Sequence, residues 1–316
     1  MTTQNIVRQI PDLAAALRQR APQMDLQTGV LMAQYTTLHL GGPADLLAQP
    51  RTPEELQLLL EEAWRLHVPV TLIGQGSDLL VRDGGLRGLV IRMAGGLRGT
   101  HVHGDQLTAL SGTTMSSAAM AAAEHQLGGL TFASGIPGTV GGGVYMNAGA
   151  YGGEMSQVVV RAEGFDITGA PVAFTRPELN FSYRHSELQQ QLVAVHTITF
   201  QLPGGQREEL LREMVELNRR RAEKQPLNFH SAGSTFKRPA GHYASALIDQ
   251  CGLRGFTLGG AQVSEKHAGF LLNRGGTSAD FLALIAYVQR VVMEQTGVRL
   301  EPEVCILGED APAASL

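Results

Sequence analysis

The chain has 316 residues, 43% of them hydrophobic, with 25 Lys and Arg against 29 Asp and Glu for a formal charge of −4. That balance, without a long basic run, argues against a nucleic-acid surface as the main function, and the length allows two or three domains. Cys251 and Cys305 are too few for a disulfide framework and read as small core residues in a reducing compartment. There is no basic-then-apolar leader and no run of about 18 uninterrupted apolar residues, so a cytoplasmic protein without membrane insertion is expected.

In chain order, residues 12–20 predict a first helix and residues 35–45 (YTTLHLGGPAD) a strand and turn. Thr52, Pro53 and Glu55 announce a second helix: Thr52 as N-cap, Pro53 at the first helical position, Glu55 closing a capping box. Leu56, Leu58, Leu59, Leu60 and Trp64 supply its apolar stripe. β-Branched runs predict strands over 68–73 and 88–93. From 97 to 203 strands dominate, at 101–110, 158–166, 171–174 and 192–202, around an alanine-rich helix over 115–126. A charged helix over 206–224 follows, then a short helix over 243–251 and strands at 262–264 and 269–273. The long helix over 278–296 presents Phe281, Leu284, Ile285, Val288, Val291 and Val292 on one face. Residues 299–307 predict a last strand, and the tail 309–316 is expected to fray.

The densest chemical signal is residues 135–154, GIPGTVGGGVYMNAGAYGGE, with eight glycines in twenty. A flexible linker would carry serines rather than Ile136, Val140, Val144 and Met146; glycine at this density lets backbone approach a phosphate or a flat ring. Neither G-x-G-x-x-G nor a Walker loop occurs, but Gly74, Gly76 and Ser77 follow a predicted strand and can present amides and a hydroxyl to a diphosphate. Arg184, within Phe181–Ser186 (FSYRHS), has the fork to grip a carboxylate bidentately. Residues 231–239 (SAGSTFKRP) offer hydroxyls beside a cation but lack a nucleophile elbow. Residues 263–270 (VSEKHAGF) form a further polar cluster, and Glu301 and Glu303 flank a proline in an apolar strand, where a buried carboxylate needs a partner. His101 and His103 share a strand face without a third ligand, and an exposed face explains them better than a metal.

These clusters together resemble the UDP-N-acetylenolpyruvoylglucosamine reductase (MurB) family. TTLHLGGPADLL, GQGSDLLV, the glycine-rich twenty, YRHS, AGSTFKRP, ALIDQCGLRG, VSEKHAGFLLN and LEPEV occur in the family's order between Thr36 and Val304. The resemblance implies an α+β, three-domain flavoprotein. Two N-terminal FAD-binding domains of the vanillyl-alcohol-oxidase (PCMH) type would cover 1–92, joined by 305–316, and 93–205. A C-terminal α+β substrate-binding domain would cover 206–304. It implies non-covalent FAD, NADPH as reductant and UDP-N-acetylglucosamine enolpyruvate as acceptor, in peptidoglycan synthesis. Arg184 matches the residue that binds the substrate carboxylate, Ser234 the proton donor and Glu303 the third catalytic residue. Gly74, Gly76, Ser77, Asp78, Gly135, Gly138, Thr139, Gly141, Asn147, Tyr151 and Gly152 are implied to line the cofactor. Tyr183, Lys237, Lys266, His267 and Asn273 are implied to meet the sugar nucleotide. Asp78 departs from the family's usual asparagine, which leaves its role unassigned.

Fifty positions separate Arg184 from Ser234 (234 − 184), and a strand and a helix occupy most of them. The chain therefore resembles the shorter type of the family, which lacks the inserted loop carrying a substrate-covering tyrosine. A monomer with small-molecule partners and no nucleic acid or metal is expected. Two rivals stand beside this reading. One is another FAD-dependent oxidoreductase of the same fold, for which His39 would be the nearest residue for covalent attachment. The other is a non-catalytic binding protein, which the presence of Arg184, Ser234 and Glu303 disfavours.

Overall fold

The computed structural model describes residues 3–311; residues 312–316, the end of the tail expected to fray, lie outside the described residues. Its elements are, in order, α1 (Thr3–Arg20), β1 (Asp25–Leu31), β2 (Pro43–Gln49), α2 (Pro53–Arg65), β3 (Val70–Ile73), β4 (Leu79–Val81), β5 (Leu86–Arg92), β6 (Thr100–His103) and β7 (Gln106–Leu110). There follow α3 (Met115–Glu124), α4 (Val140–Tyr145), β8 (Gly149–Ala150), β9 (Gly153–Glu154), β10 (Val159–Phe165), β11 (Pro171–Thr175) and β12 (Ala194–Gln201). The last third holds α5 (Arg207–Lys224), α6 (Ala244–Gln250), β13 (Thr257–Leu258), β14 (Ala261–Val263), β15 (Leu271–Asn273), α7 (Ser278–Thr296) and β16 (Cys305–Leu307). The mixture is α+β, as expected.

The chain divides into two compact units. The first comprises Met1–Thr28, Asp45–Gln75 and Arg87–Arg220; the second comprises Gly29–Ala44, Gly76–Leu86 and Arg221–Leu316. The first unit has two cores. One gathers α1, α2 and a sheet of order β1-β2-β5-β3, with Leu13, Leu17, Leu56, Leu59, Leu60, Leu89 and Ile91 fully or nearly fully buried. The other lies under the antiparallel sheet β11-β10-β12-β7-β6 and packs Phe200, Ile198 and Leu107 on the small residues of α3. The alanines Ala118, Ala119, Ala122 and Ala123 let that helix come close to the sheet.

Local chemistry explains the element ends. Thr52 Oγ1 accepts the Glu55 N–H at 3.2 Å, capping α2 as predicted, but the Glu55 carboxylate takes the Arg51 N–H at 2.6 Å, so the reciprocal bond falls one residue early. Trp64 leaves the predicted stripe and is exposed, while Glu62 lies buried in it, its charge met by Arg20 at 2.6 Å and Arg65 at 2.5 Å. Arg65, then Arg20, hold that carboxyl below the usual glutamate range. The expected strand over 101–110 is two strands, because Gly104 turns at φ +59° and β6 folds back on β7.

The second unit packs α6 and α7 on the sheet β13-β14-β15, with Phe281, Leu284, Ile285, Val288, Val291 and Val292 all buried, the face predicted for α7. Thr277 and Asp280 form a capping box at its start and Gly297, at φ +70°, closes its end. The predicted last strand is shorter than expected. Only β16 is regular, paired in parallel with β4, because Pro302 interrupts the run and makes a single bridge to Phe236.

Candidate functional site

In the first unit the glycine-rich stretch builds a short helix, α4, and a minute hairpin, β8–β9. Thr139 caps α4, its hydroxyl taking the Gly142 N–H at 3.3 Å. Much of the glycine answers to the protein's own packing. A Cβ on Gly141 would lie 2.8 Å from Ser111 Cβ, on Gly143 2.7 Å from Met115 Sδ, and on Gly153 2.5 Å from the Phe132 ring. Gly74 behaves alike, since its Cβ would lie 2.6 Å from Thr139 Oγ1, which joins the GQGSD motif to the capping threonine. The Gly141 amide donates to Ser111 O at 2.9 Å, so Gly141, expected to face the cofactor with its backbone, is engaged in the fold instead. Gly152 is different: φ is +89° and nothing lies within 4 Å of its missing Cβ.

The family resemblance implies FAD here, and two buried hydroxyls fit a polar ligand. Ser134 Oγ, one residue before Gly135, and Ser111 Oγ have no hydrogen-bond partner. A buried hydroxyl without a partner costs about 1–3 kcal/mol, which a bound acceptor removes. Ile136 and Val140 flank Gly138 and Thr139; Met115 N–H bonds Gly138 O at 3.1 Å and Val140 N–H bonds Thr113 O at 2.8 Å. That pairing leaves the Gly138 and Thr139 amides out. Tyr151, at φ +53°, is exposed on the bend between β8 and β9.

Asn147 links this stretch to the arginine motif. Buried at φ +42°, it donates from Nδ2 to Ser182 O at 3.0 Å and accepts the Ser156 N–H on Oδ1 at 2.9 Å. Its side chain is a strut, and the sequence reading of it as a cofactor contact did not see those bonds. Ser186 Oγ and Gln189 Nε2 add bonds to Tyr145 O at 2.8 and 2.9 Å. Between these struts Ser182 and His185 exchange backbone bonds of 3.1 Å each, a tight turn with Tyr183 and Arg184 at its tip. Arg184 adopts φ +55°, Gln189 Nε2 holds its carbonyl at 3.0 Å, and its guanidinium carbon lies 5.1 Å from the centre of the exposed Tyr183 ring.

In the second unit the remaining motifs meet around one strand pair. Thr235 N–H bonds Gly269 O at 2.9 Å, Glu303 N–H bonds Thr235 O at 2.8 Å, and Lys237 N–H bonds Glu301 O at 2.8 Å. Ser234 bridges Phe270. AGSTFK, HAGF and LEPEV thus lie side by side, with half-buried Ser234 and Glu303 in the same strand cluster. The GQGSD loop joins them. Asp78 O accepts the Cys305 N–H at 3.0 Å, and Thr37 N–H donates to Gly76 O at 3.1 Å while its hydroxyl donates to Ser231 O at 2.7 Å. Ser77 sits in that loop. Gly76, at φ +70°, has room for no Cβ, which would lie 2.1 Å from Tyr35 O. Burial, then the nearby Asp78 and Glu303 carboxylates, push the Cys305 thiol up to about 11, with Lys237 opposing. The thiol is protonated and unreactive.

Two implied substrate residues have other work. Lys266 Nζ donates to Ala222 O at 2.6 Å, satisfying a carbonyl in the last turn of α5, where a cation is favoured. Asn273 donates from Nδ2 to Leu38 O at 2.9 Å and accepts the Gly275 and Gly276 N–H groups at 2.9 and 3.0 Å. His267 is half-buried, its Nδ1 accepting the Gly269 N–H at 3.2 Å and its ring edge-on to Phe270 at 4.9 Å. Burial, helped by Arg254, pushes it below the usual histidine value. Sequence reasoning passed over Thr37, the clasp of the GQGSD loop, and an exposed Phe229 carrying Arg274 at 4.6 Å. An aromatic in the polar run after Pro226 was the available signal for the latter.

Among the described residues no group of three His, Cys, Asp or Glu side chains could hold a metal, and His101 and His103 are exposed on β6. Nor is any described helix long and apolar enough to cross a membrane.

Comparison with known proteins places these motifs. Residues 44–174 match the family described as FAD binding domain, and residues 225–307 match the UDP-N-acetylenolpyruvoylglucosamine reductase C-terminal domain. The UDP-N-acetylenolpyruvoylglucosamine reductase of Caldanaerobacter subterraneus subsp. tengcongensis is 46% identical over 279 residues, covering 88% of this chain and 92% of that one. That of Latilactobacillus sakei subsp. sakei is 46% identical over 287 residues, covering 90% and 94%. The crystal structure of the MurB enzyme from Thermus caldophilus superposes with a TM-score of 0.78 at 36% identity, covering 90% of this chain and all of the other. With identity of this order over nearly the whole of each chain, the chain belongs to the UDP-N-acetylenolpyruvoylglucosamine reductase family, and residues 44–174 are its FAD-binding domain.

Proposed function

We propose that the protein uses NADPH to reduce UDP-N-acetylglucosamine enolpyruvate to UDP-N-acetylmuramate in peptidoglycan synthesis, as a cytoplasmic monomer. The observation that carries this is the joint presence of the two halves of the chemistry: an FAD-binding domain with orphaned buried hydroxyls beside its glycine stretch, and a strand cluster holding Ser234 and Glu303. The reading in three domains, 1–92 with 305–316, 93–205 and 206–304, agrees with the three hydrophobic cores in number but not in every bound, since Leu38, Leu40 and Leu80 pack in the core of the last. The chemistry that bound FAD would supply is hydride transfer, taken from NADPH and passed to the methylene end of the enolpyruvyl double bond.

The chain's own residues then handle charge and proton. Ser134, Ser111, Gly138, Thr139, Gly152 and the loop Gly74–Asp78 would hold the cofactor, and Asn147 keeps the arginine turn in place. Hydride at the methylene carbon makes a methyl group and leaves an electron pair on the carbon next to the carboxylate. Arg184 binds that carboxylate bidentately and stabilises the enolate-like charge as it develops. Ser234 Oγ donates the proton that completes the reduction. A hydroxyl is a weak acid, but a carbanionic centre is a strong enough base to take its proton. Glu303 orders the serine and its proton supply, while Lys237 and Tyr183 serve the sugar nucleotide.

An anaerobic absorbance experiment tests this. NADPH bleaches the flavin of the purified holoprotein, and adding UDP-N-acetylglucosamine enolpyruvate restores its absorbance. Bleaching that the enolpyruvate does not reverse would move the protein to a different acceptor.

A further inference from the structure

Gly76 and Ser77 of the cofactor loop lie in the same unit as Ser234, and the turn of residues 36–39 binds both segments. On one side it grips the loop. Thr37 N–H donates to Gly76 O at 3.1 Å, and a Cβ on Gly76 would lie 2.1 Å from Tyr35 O. On the other side it grips the run that leads to Ser234. The Thr37 hydroxyl donates to Ser231 O at 2.7 Å, and the His39 ring stacks on His230 with centres 3.9 Å apart. Asn273 adds a third tie, its Nδ2 donating to Leu38 O and its backbone N–H to His230 O, each at 2.9 Å. The Thr37 hydroxyl also stands 3.5 Å from both Gly76 O and Ser77 O. A hydroxyl has one proton to donate, so any shift of the loop carbonyls bears directly on its bond to Ser231.

Ser234 itself stands between a fixed point and a swivel. Thr235 N–H bonds Gly269 O at 2.9 Å and Thr235 O accepts the Glu303 N–H at 2.8 Å, which pins the strand just after the serine. Just before it comes Gly233, at φ +74° with nothing within 4 Å of its missing Cβ. A glycine so free of contact passes on no orientation of its own. Upstream the backbone is next bonded at Ser231 O, and the partner there is Thr37. The turn that carries Thr37 is also strained, since His39 holds φ +54° with its N–H closing on Thr36 O at 3.1 Å. Strain of that kind persists where surrounding contacts over-determine it, and the His230 stack is such a contact. We propose that Thr37 is a positioning residue that couples occupancy of the cofactor loop to the placement of Ser234. The loop, once ordered by the cofactor, fixes the turn, and the Thr37 hydroxyl carries that order through Ser231 to the serine. The inference rests on the reaction proposed above.

Coupling between two sites is reciprocal, so it can be read without turnover. The FAD-loaded protein is diluted to equilibrium with and without UDP-N-acetylmuramate, and released FAD is read by its fluorescence. In the wild type the ligand is expected to tighten FAD by about tenfold. Thr37→Val keeps the side-chain shape without the hydroxyl and should cut that ratio about fivefold, the worth of one hydrogen bond. Thr37→Ser keeps the hydroxyl and should keep the ratio. Direct contact between flavin and ligand is common to all variants, so the change belongs to the turn. Thr37→Val should also slow flavin reoxidation by the enolpyruvate about tenfold, leave reduction by NADPH within about twofold, and enlarge the solvent deuterium effect on reoxidation alone. Should Thr37→Val not fold, His39→Asn reads the same turn: asparagine accepts the left-handed backbone but loses the stack, and the ratio should fall. A wild type whose FAD ignores the ligand, a Thr37→Val or, in its stead, a His39→Asn with the wild-type ratio, or a Thr37→Ser that loses the ratio would overturn the inference. If the wild-type flavin is still reoxidised by the enolpyruvate in that case, only the coupling fails; if it is not, the proposed reaction fails with it.

Discussion

Arg184 sits in a left-handed conformation, φ +55°, that costs a side chain with a Cβ about 1–2 kcal/mol. The turn tolerates this because Asn147 and Gln189 fix the carbonyls on either side of the tip. Strain held in place by surrounding bonds is expected where a side chain must be aimed rather than where it merely folds. Asparagine adopts the same backbone more easily, so Arg184→Asn should leave the urea midpoint unchanged or raise it while slowing flavin reoxidation by the enolpyruvate about 10²-fold. A large loss of stability would mean that the guanidinium holds the fold and not the substrate. Ser234→Ala separates the half-reactions: flavin reduction by NADPH should persist while reoxidation slows by about 10²-fold or more. Equal slowing of both would remove the proton-donor role. At this scale the sequence shows what a side chain is able to bind, not what already binds it. Lys266 and Asn273 have the right chemistry for a sugar nucleotide and yet cap a helix and brace a loop, bonds made to residues 44 and 235 positions away.

Elements with a strong local code were legible. The six-residue apolar face of α7 and the Thr52 cap of α2 follow from period and capping alone. The hairpin at Gly104 and the shortened β16 were missed although Gly104 and Pro302 are local breakers, because a glycine or proline inside an apolar run marks a break only once the pairing partner, β7 for β6 and β4 for β16, fixes where each strand ends. The glycine-rich stretch shows both sides. Its density signalled close approach, but the approach at Gly141, Gly143 and Gly153 is to Ser111, Met115 and Phe132 of the same unit. Buried Asn147 ties that stretch to the arginine turn through its bond to Ser182 O and to the following segment through the Ser156 N–H, so Asn147→Ala should cost about 1–3 kcal/mol in urea unfolding. It should also slow reoxidation of the flavin more than its reduction, because the loosened element is the one bearing Arg184. Unchanged reoxidation kinetics would show that the turn keeps its shape unaided.

Each unit of the molecule carries one histidine whose titration opposes folding in acid. His196, in the first, is pushed below its ordinary value of 6.5 by burial, with Glu163 and Glu54 pulling weakly the other way. It bonds Thr197 Oγ1 through Nδ1 at 2.7 Å and lies 5.0 Å from the Phe165 ring. His267, in the second, is lowered by burial and by Arg254, and its Nδ1 must stay unprotonated to accept the Gly269 N–H. A lowered folded value means that the unfolded chain takes up protons first as the solution is acidified. The stability these neutral rings contribute is therefore complete above pH 6.5 and is lost as pH falls toward their folded values. The carboxylates held low by partners, such as Glu62 and Asp166, add their own acid sensitivity only below their ordinary values of 4.5 and 3.8. Between pH 6.5 and 4.5 these two histidines therefore lower stability as the solution is acidified. The urea midpoint should fall across that interval, and His196→Asn with His267→Asn, which keep an acceptor near each Nδ1, should make the fall shallower. A double variant that loses stability as steeply as the wild type would place the acid sensitivity in other groups.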